Sequence, residues 1–240
     1  MPAWPGTALN TALLEGSEAD IPPPAAPCEG RVSAFEIVID HSQAPDLEAW
    51  AVSRLRPELE KWYPMMIAAL PSEGFVPPDK VHVAIAEGEG IAYTAGTRIT
   101  VMAAWIRSQM SNPKSEAVGS VIHELAHVVQ QYGAVQGGSP APGWLVEGIA
   151  DHIRWWRFEP PENRRPVSPS HPDGTPASYK DGYQTTAAFL EYLSENYDAS
   201  LVAELNAAGR AHAYSPLLWE KHTGRKLDAL WGEFAATLGR

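Results

Sequence analysis

The stretch that decides the fold reads Val121-Ile122-His123-Glu124-Leu125-Ala126-His127-Val128-Val129-Gln130. Its apolar residues recur at helical spacing, which predicts a helix with one face in a core. His123 and His127 are four positions apart, so both imidazoles lie on one helix face and can reach one metal ion. Glu124 is one step round from His123, where a general base for a water molecule should lie. On its own, the run could also be a surface cluster of two histidines and a glutamate.

Two acidic residues follow at a spacing that suits a metal site. A second predicted helix carries Glu147 and, one turn later on the same face, Asp151. Two histidines and a glutamate are an established set of zinc ligands that leaves one position for water. We therefore expect His123, His127 and Glu147 to bind one Zn²⁺, and Asp151 to accept the other ring N–H of one histidine. Taken without the histidine pair, Glu147 and Asp151 would be read as a solvated acidic helix face.

Around this helix, strands come first in the chain and helices later. Asn112 followed by Pro113, and then Gly133, predict the two ends of the metal-binding helix, about twenty residues apart. Alternating or apolar runs predict strands at 33–40 and 81–86, and a strand or a hairpin at 91–102. One or two helices are expected at 46–70, and further helices at 144–156, 182–197, 199–208 and 215–238, the last broken near Gly224. A surface loop is expected at 159–178. This order predicts an α+β domain, with a small mixed sheet at the N-terminal side and a mostly helical C-terminal part.

A change in composition predicts the domain boundary. Residues 1–32 are rich in proline and include Pro22-Pro23-Pro24, which favours an extended arm or linker. Residues 33–240 are expected to form the main domain. Within it, residues 33–132 would hold the sheet and the metal-binding helix, and residues 133–240 the helical part with the third ligand.

Charge and cysteine content exclude several classes of protein. The formal net charge is −11 and the basic residues are scattered, which argues against nucleic acid or an anionic membrane as a partner. The single cysteine, Cys28, excludes an intramolecular disulfide and a cysteine-based zinc site. No apolar run is long enough for a membrane span, and the N-terminus shows no secretory leader.

The run His-Glu-x-x-His followed by Glu-x-x-x-Asp resembles the gluzincin arrangement of zinc peptidases. More specifically, the chain resembles the plant basic secretory protein peptidases and their microbial relatives. The resemblance is carried by residues 91–96, 121–130, 143–151, 182–190 and 227–231. It implies a zincin-like metallopeptidase fold, one zinc ion held by three protein ligands, peptide or protein substrates, and secretion. The chain differs from the family in its acidic charge and in the absence of a leader, so substrate preference and localisation stay open.

The predicted reaction is hydrolysis of a peptide bond by metal-activated water, with Glu124 as the general base. Tyr183 is the candidate donor to the developing oxyanion, and Tyr179 and His171 are the alternatives. Tyr183 could equally be an aromatic anchor for its helix. Residues 93–99 are a candidate edge for pairing with an extended substrate, although an internal strand fits the pattern as well. A catalytically silent binding protein with the same fold is the alternative function. Cleavage preference, endo- or exopeptidase action and oligomeric state are left open.

Overall fold

The computed structural model describes residues 34–133 and 137–238 and has an α+β architecture. The predicted arm at 1–32 lies outside the described residues. The strands are β1 (Glu36–Asp40), β2 (Lys80–Ala86), β3 (Ala92–Ala95) and β4 (Arg98–Met102). The α-helices are α1 (Glu48–Trp50), α2 (Arg56–Ala69), α3 (Ala103–Gln109), α4 (Ala117–Gln130), α5 (Gly143–His152), α6 (Tyr183–Asn196), α7 (Leu201–Arg210), α8 (Leu217–Thr223) and α9 (Leu227–Ala235). The predicted fold class, with a small mixed sheet first and helices after it, is confirmed.

The four strands form one mixed sheet in the order β1-β2-β4-β3. The pairs β1–β2 and β2–β4 are parallel, whereas β3 runs antiparallel to β4. The stretch predicted as a strand or hairpin at 91–102 is therefore the β3–β4 hairpin. Residues 93–99 were the candidate edge for pairing with a substrate. Only the part in β3 lies at the edge of the sheet, because β4 is paired with both β2 and β3.

Helix α4 packs against β3, β4 and α2, and its apolar side chains lie in the core. The fully buried members of this face are Val121, Ile122, Leu125, Ala126, Val128 and Val129. Burying one valine, leucine or isoleucine side chain stabilises the fold by roughly 1.5–3 kcal/mol, so these side chains hold the helix against the sheet. The amphipathic helix predicted from residues 121–130 is present.

The ends of α4 differ from the prediction. The helix begins at Ala117, because the side chain of Asn112 accepts a bond from Lys114 N at 3.0 Å and closes a local turn instead of capping the helix. It ends at Gln130, and the next residue has the left-handed φ of 48° that was expected of Gly133. Arg210 fixes this end by donating to the carbonyl oxygens of Val129, at 2.9 Å, and of Gln130, at 3.2 Å. Helix α4 is therefore shorter than predicted, and a side chain from α7 supplies its C-terminal cap.

The helical part follows the predicted order closely. Helix α5 continues into π-helical turns at Ile153–Phe158, so that the two together match the predicted helix at 144–156. The last predicted helix is divided into α8 and α9 by Gly224, whose φ of 72° caps α8. Within the described ranges, no helix combines the length and the apolar character needed to cross a membrane.

The packing of α5 on α6 depends on a glycine. A Cβ atom added at Gly148 would lie 2.6 Å from Cβ of Thr186, which is fully buried on α6. Real Cβ atoms essentially never approach so closely, so this helix contact needs a residue without a side chain. Gly148 follows Glu147, and the close contact therefore sets the position of the predicted third ligand.

We expect Gly148→Ala to lower the free energy of unfolding by about 1–3 kcal/mol, because the added methyl group overpacks the contact with Thr186. Urea denaturation measures the change. Gly232→Ala is the matched control, because Gly232 is exposed in α9 and a Cβ there would meet nothing within 4 Å. The control should gain up to about 1 kcal/mol from helix propensity. A Gly148→Ala protein as stable as the wild type would show that the two helices are not in close contact.

Candidate metal centre

Three side chains on two helices converge on one point. His123 Nε2 lies 3.1 Å from His127 Nε2 and 3.2 Å from Glu147 Oε2, and His127 Nε2 lies 3.5 Å from the same carboxylate oxygen. Ligands at about 2.0–2.1 Å from a tetrahedral zinc ion are about 3.3–3.4 Å apart. Among the described residues, this is the one group of three or more His, Cys, Asp or Glu residues arranged to hold a metal ion. The donor set and its spacing fit zinc.

Hydrogen bonds at the far side of each ring fix which nitrogen faces the centre. Asp151 Oδ1 lies 2.6 Å from Nδ1 of His123, and Gln130 Oε1 lies 2.6 Å from Nδ1 of His127. A carboxylate and an amide oxygen can only accept, so both Nδ1 atoms carry the proton. Both Nε2 atoms then face each other and Glu147, so the group is favourable only with positive charge among the three atoms, either a proton on a ring or a metal cation.

The electrostatics of the group agree with that conclusion. Burial opposes protonation of His123, but its hydrogen bonds to Asp151 and Glu147 outweigh burial and raise its pKa to about 9. Burial also opposes ionisation of Glu147, but hydrogen bonds to His123 and His127 lower its pKa to about 2. The cluster therefore keeps its carboxylate ionised and favours a cation at its centre.

Glu124 is held next to this group by the edge strand. Its Oε2 accepts a hydrogen bond from Thr94 Oγ1 at 2.7 Å, and the residue is 9% exposed. The hydroxyl of Thr94 also lies 3.0 Å from the backbone oxygen of Glu124, so β3 contacts both ends of the residue. The Glu124 carboxylate is thus oriented in the cleft without contacting the three converging atoms.

The group lines a cleft of about 1040 Å³, between β3 on one side and the start of α6 and the preceding loop on the other. Tyr183 lies in this cleft with its ring 6.2 Å from the ring of His123, and it is 58% exposed. Its φ of 46° is unusual for a residue with a side chain. The charge of Glu147, followed by burial, raises the pKa of the Tyr183 phenol, so that it can donate a hydrogen bond at neutral pH.

The two alternatives to Tyr183 have different surroundings. His171 also lines the cleft, but its Nε2 lies 3.1 Å from Asp181 Oδ2. Tyr179 is buried among aromatic side chains and donates its hydroxyl to Asp228 Oδ1 at 2.9 Å. Tyr179 therefore anchors the segment before α6 and does not line the cleft. His152 also lies outside the group and is hydrogen-bonded to Glu191 at 2.7 Å.

Two polar residues at the site were not identified from the sequence. Thr94 orients Glu124, and Gln130 holds His127. Gln130 lies three positions after His127, a spacing that places both on one helix face, so its position was recognisable. Thr94 could not be found in this way, because its partner depends on how the sheet edge meets α4.

A comparison with protein-family models matches residues 55–234, more than half of the chain, to BSP, described as "Peptidase of plants and bacteria". The match includes all three converging side chains. No curated protein and no solved structure matches the chain.

Glu147→Gln tests the converging group. A neutral amide is a weaker ligand than a carboxylate, so the variant should lose more zinc affinity than the roughly 10- to 100-fold that removal of an outer hydrogen-bonding partner costs. Elemental analysis of untagged, dialysed protein should find about one zinc per wild-type chain and far less in the variant. Glu195→Gln, at an exposed position on α6, is the control and should keep its zinc. Equal zinc in wild type and Glu147→Gln would exclude Glu147 as a ligand.

Proposed function

Because the chain belongs to the BSP family, the peptidases of plants and bacteria, we propose that it is a zinc-dependent peptidase that uses Glu124 as its general base. The family implies peptide or protein substrates. The observation that carries the zinc proposal is the convergence of His123 Nε2, His127 Nε2 and Glu147 Oε2 within 3.5 Å of one another. These three residues would hold one zinc ion, and Asp151 would orient His123.

A zinc ion at this position would lower the pKa of a water molecule and polarise the scissile carbonyl. Glu124 takes a proton from the attacking water molecule as the water oxygen bonds to the carbonyl carbon. When the bond between carbon and nitrogen breaks, Glu124 gives the same proton to the leaving amine nitrogen. Thr94 supports this role because its hydroxyl holds Oε2 of Glu124 at 2.7 Å.

We further propose that Tyr183 donates a hydrogen bond to the oxyanion that develops on the carbonyl oxygen. Its ring lies in the cleft beside His123. The left-handed conformation of Tyr183 costs about 1–2 kcal/mol, and strain of this kind is common at functional positions. Tyr179 is a poorer candidate since its hydroxyl is bonded to Asp228.

The substrate backbone would lie along β3. This strand pairs with β4 on one side and lies at the edge of the described sheet. A peptide that adds to such an edge gains main-chain hydrogen bonds regardless of its sequence. An extended substrate there would pass over α4 close to Glu124.

The catalytic domain would comprise residues 33–240, since this segment contains the whole group and the family match falls inside it. Secretion, which the family resemblance implies, is likewise proposed.

Glu124→Gln should lower kcat for a mixed peptide library by roughly 10²–10⁴-fold, because the amide cannot accept the proton from water. Its zinc content should equal that of the wild type, since Glu124 contributes no ligand atom. Cleavage at the wild-type rate would exclude Glu124 as the base. Wild-type protein that binds zinc but cleaves no peptide would point to a catalytically silent binding protein.

Tyr183→Phe should lower kcat by roughly 10²–10³-fold and leave KM nearly unchanged, because the phenol acts only on the developing oxyanion. Tyr179→Phe removes the same hydroxyl from a tyrosine outside the cleft. That control should keep its kcat and lose about 1 kcal/mol of stability, measured by urea denaturation, through the lost bond to Asp228. If Tyr179→Phe lost activity while Tyr183→Phe did not, the assignment would be reversed.

A further inference from the structure

Gln130 connects the two helices that carry the proposed zinc ligands. It is the last residue of α4 and is 1% exposed. Its Oε1 lies 2.6 Å from Nδ1 of His127, and its Nε2 donates to the carbonyl oxygen of Val146 on α5 at 2.9 Å. Val146 directly precedes Glu147. One side-chain amide therefore contacts a proposed ligand on α4 and the backbone next to the proposed ligand on α5.

The orientation of this amide follows from its partners. A backbone carbonyl can only accept, so the NH₂ group of Gln130 must face Val146 and its oxygen must face His127. The ring of His127 then has to donate from Nδ1, which leaves the lone pair of Nε2 free to bind a metal. The second bond of Gln130 thus prevents the amide from turning over and presenting a donor to the histidine.

Asp151 connects the same two helices in the opposite direction. Asp151 extends from α5 to Nδ1 of His123 on α4, at 2.6 Å, while Gln130 extends from α4 to the backbone of α5. The two helices are therefore joined twice, by Asp151 next to His123 and by Gln130 next to His127. The two supports differ in charge, since His123 is held by a carboxylate and His127 by a neutral amide.

We infer that Gln130 is a positioning residue that sets the affinity of the site for zinc by fixing the ring of His127 relative to Glu147. This inference rests on the proposed zinc site. The Gln130 side chain is buried, so loss of either of its hydrogen bonds leaves a polar group without a partner next to the ligands. Outer partners of this kind commonly change metal affinity by roughly 10- to 100-fold.

Competition for zinc against a chelator tests the inference. Gln130→Met keeps the size of the side chain and removes both hydrogen bonds, and it should weaken zinc binding by roughly 10- to 100-fold. Gln130→Glu restores an acceptor for His127, and its affinity should lie closer to the wild type than that of Gln130→Met.

Tyr63→Phe is the control. Tyr63 is also fully buried, and its hydroxyl donates to the Pro78 carbonyl at 2.6 Å. This hydrogen bond involves neither Gln130 nor a zinc ligand, so the control should lose stability and keep its zinc affinity. An equal loss of affinity in Gln130→Met and Tyr63→Phe would show that Gln130 is merely structural, and unchanged affinity in Gln130→Met would overturn the inference.

Nitrogen-15 NMR of the histidine rings in zinc-loaded wild-type protein gives a second test that needs no variant to fold. The Nδ1 proton of His127 should be protected from exchange and shifted downfield by its bond to Gln130. A rapidly exchanging Nδ1 proton would overturn the inference even if zinc is bound. Wild-type protein that binds no zinc would overturn the proposed function as well, so the two failures are distinguishable.

Discussion

Two imidazole nitrogens and a carboxylate oxygen are held within 3.5 Å of one another in a partly buried cleft. The lone pairs of these three atoms repel one another unless positive charge, either a proton on a ring or a metal cation, lies between them. Bringing them together therefore costs free energy that only rigid surroundings and a bound positive charge can offset. Much of the structure around the cleft supplies that rigidity.

The rigidity comes from contacts that are remote from the three atoms. The apolar face of α4 is buried against the sheet, and Arg210 caps the C-terminal end of the helix. Gly148 lets α5 approach α6 closely enough to fix Glu147. Side-chain bonds from Asp151 and Gln130 then join α4 to α5 directly. The edge strand adds Thr94, which orients Glu124 toward the same cleft. Positions of ligands and base are thus set by neighbours that bind neither metal nor substrate.

The sequence was most informative where structure depends on local periodicity. Residues 121–130 predicted an amphipathic helix with both histidines on one face, and the downstream Glu147 predicted the third member of the group. Helix ends were less predictable. The side chain of Asn112 accepts from Lys114 N instead of capping α4, and the C-terminal cap comes from Arg210, eighty residues further along the chain. The sequence favoured Tyr183 and left Tyr179 as an alternative, since only the fold shows which hydroxyl is bonded to Asp228 and which ring lies in the cleft.

The position of zinc in crystals of untagged protein is the most direct measurement of the central claim. Diffraction data collected on both sides of the zinc absorption edge would locate the ion by its anomalous scattering. We expect one ion at about 2.0–2.2 Å from Nε2 of His123, Nε2 of His127 and an oxygen of Glu147. Zinc bound by other side chains, or by only one of these two histidines, would contradict the claim that the two helices are arranged around a single metal ion.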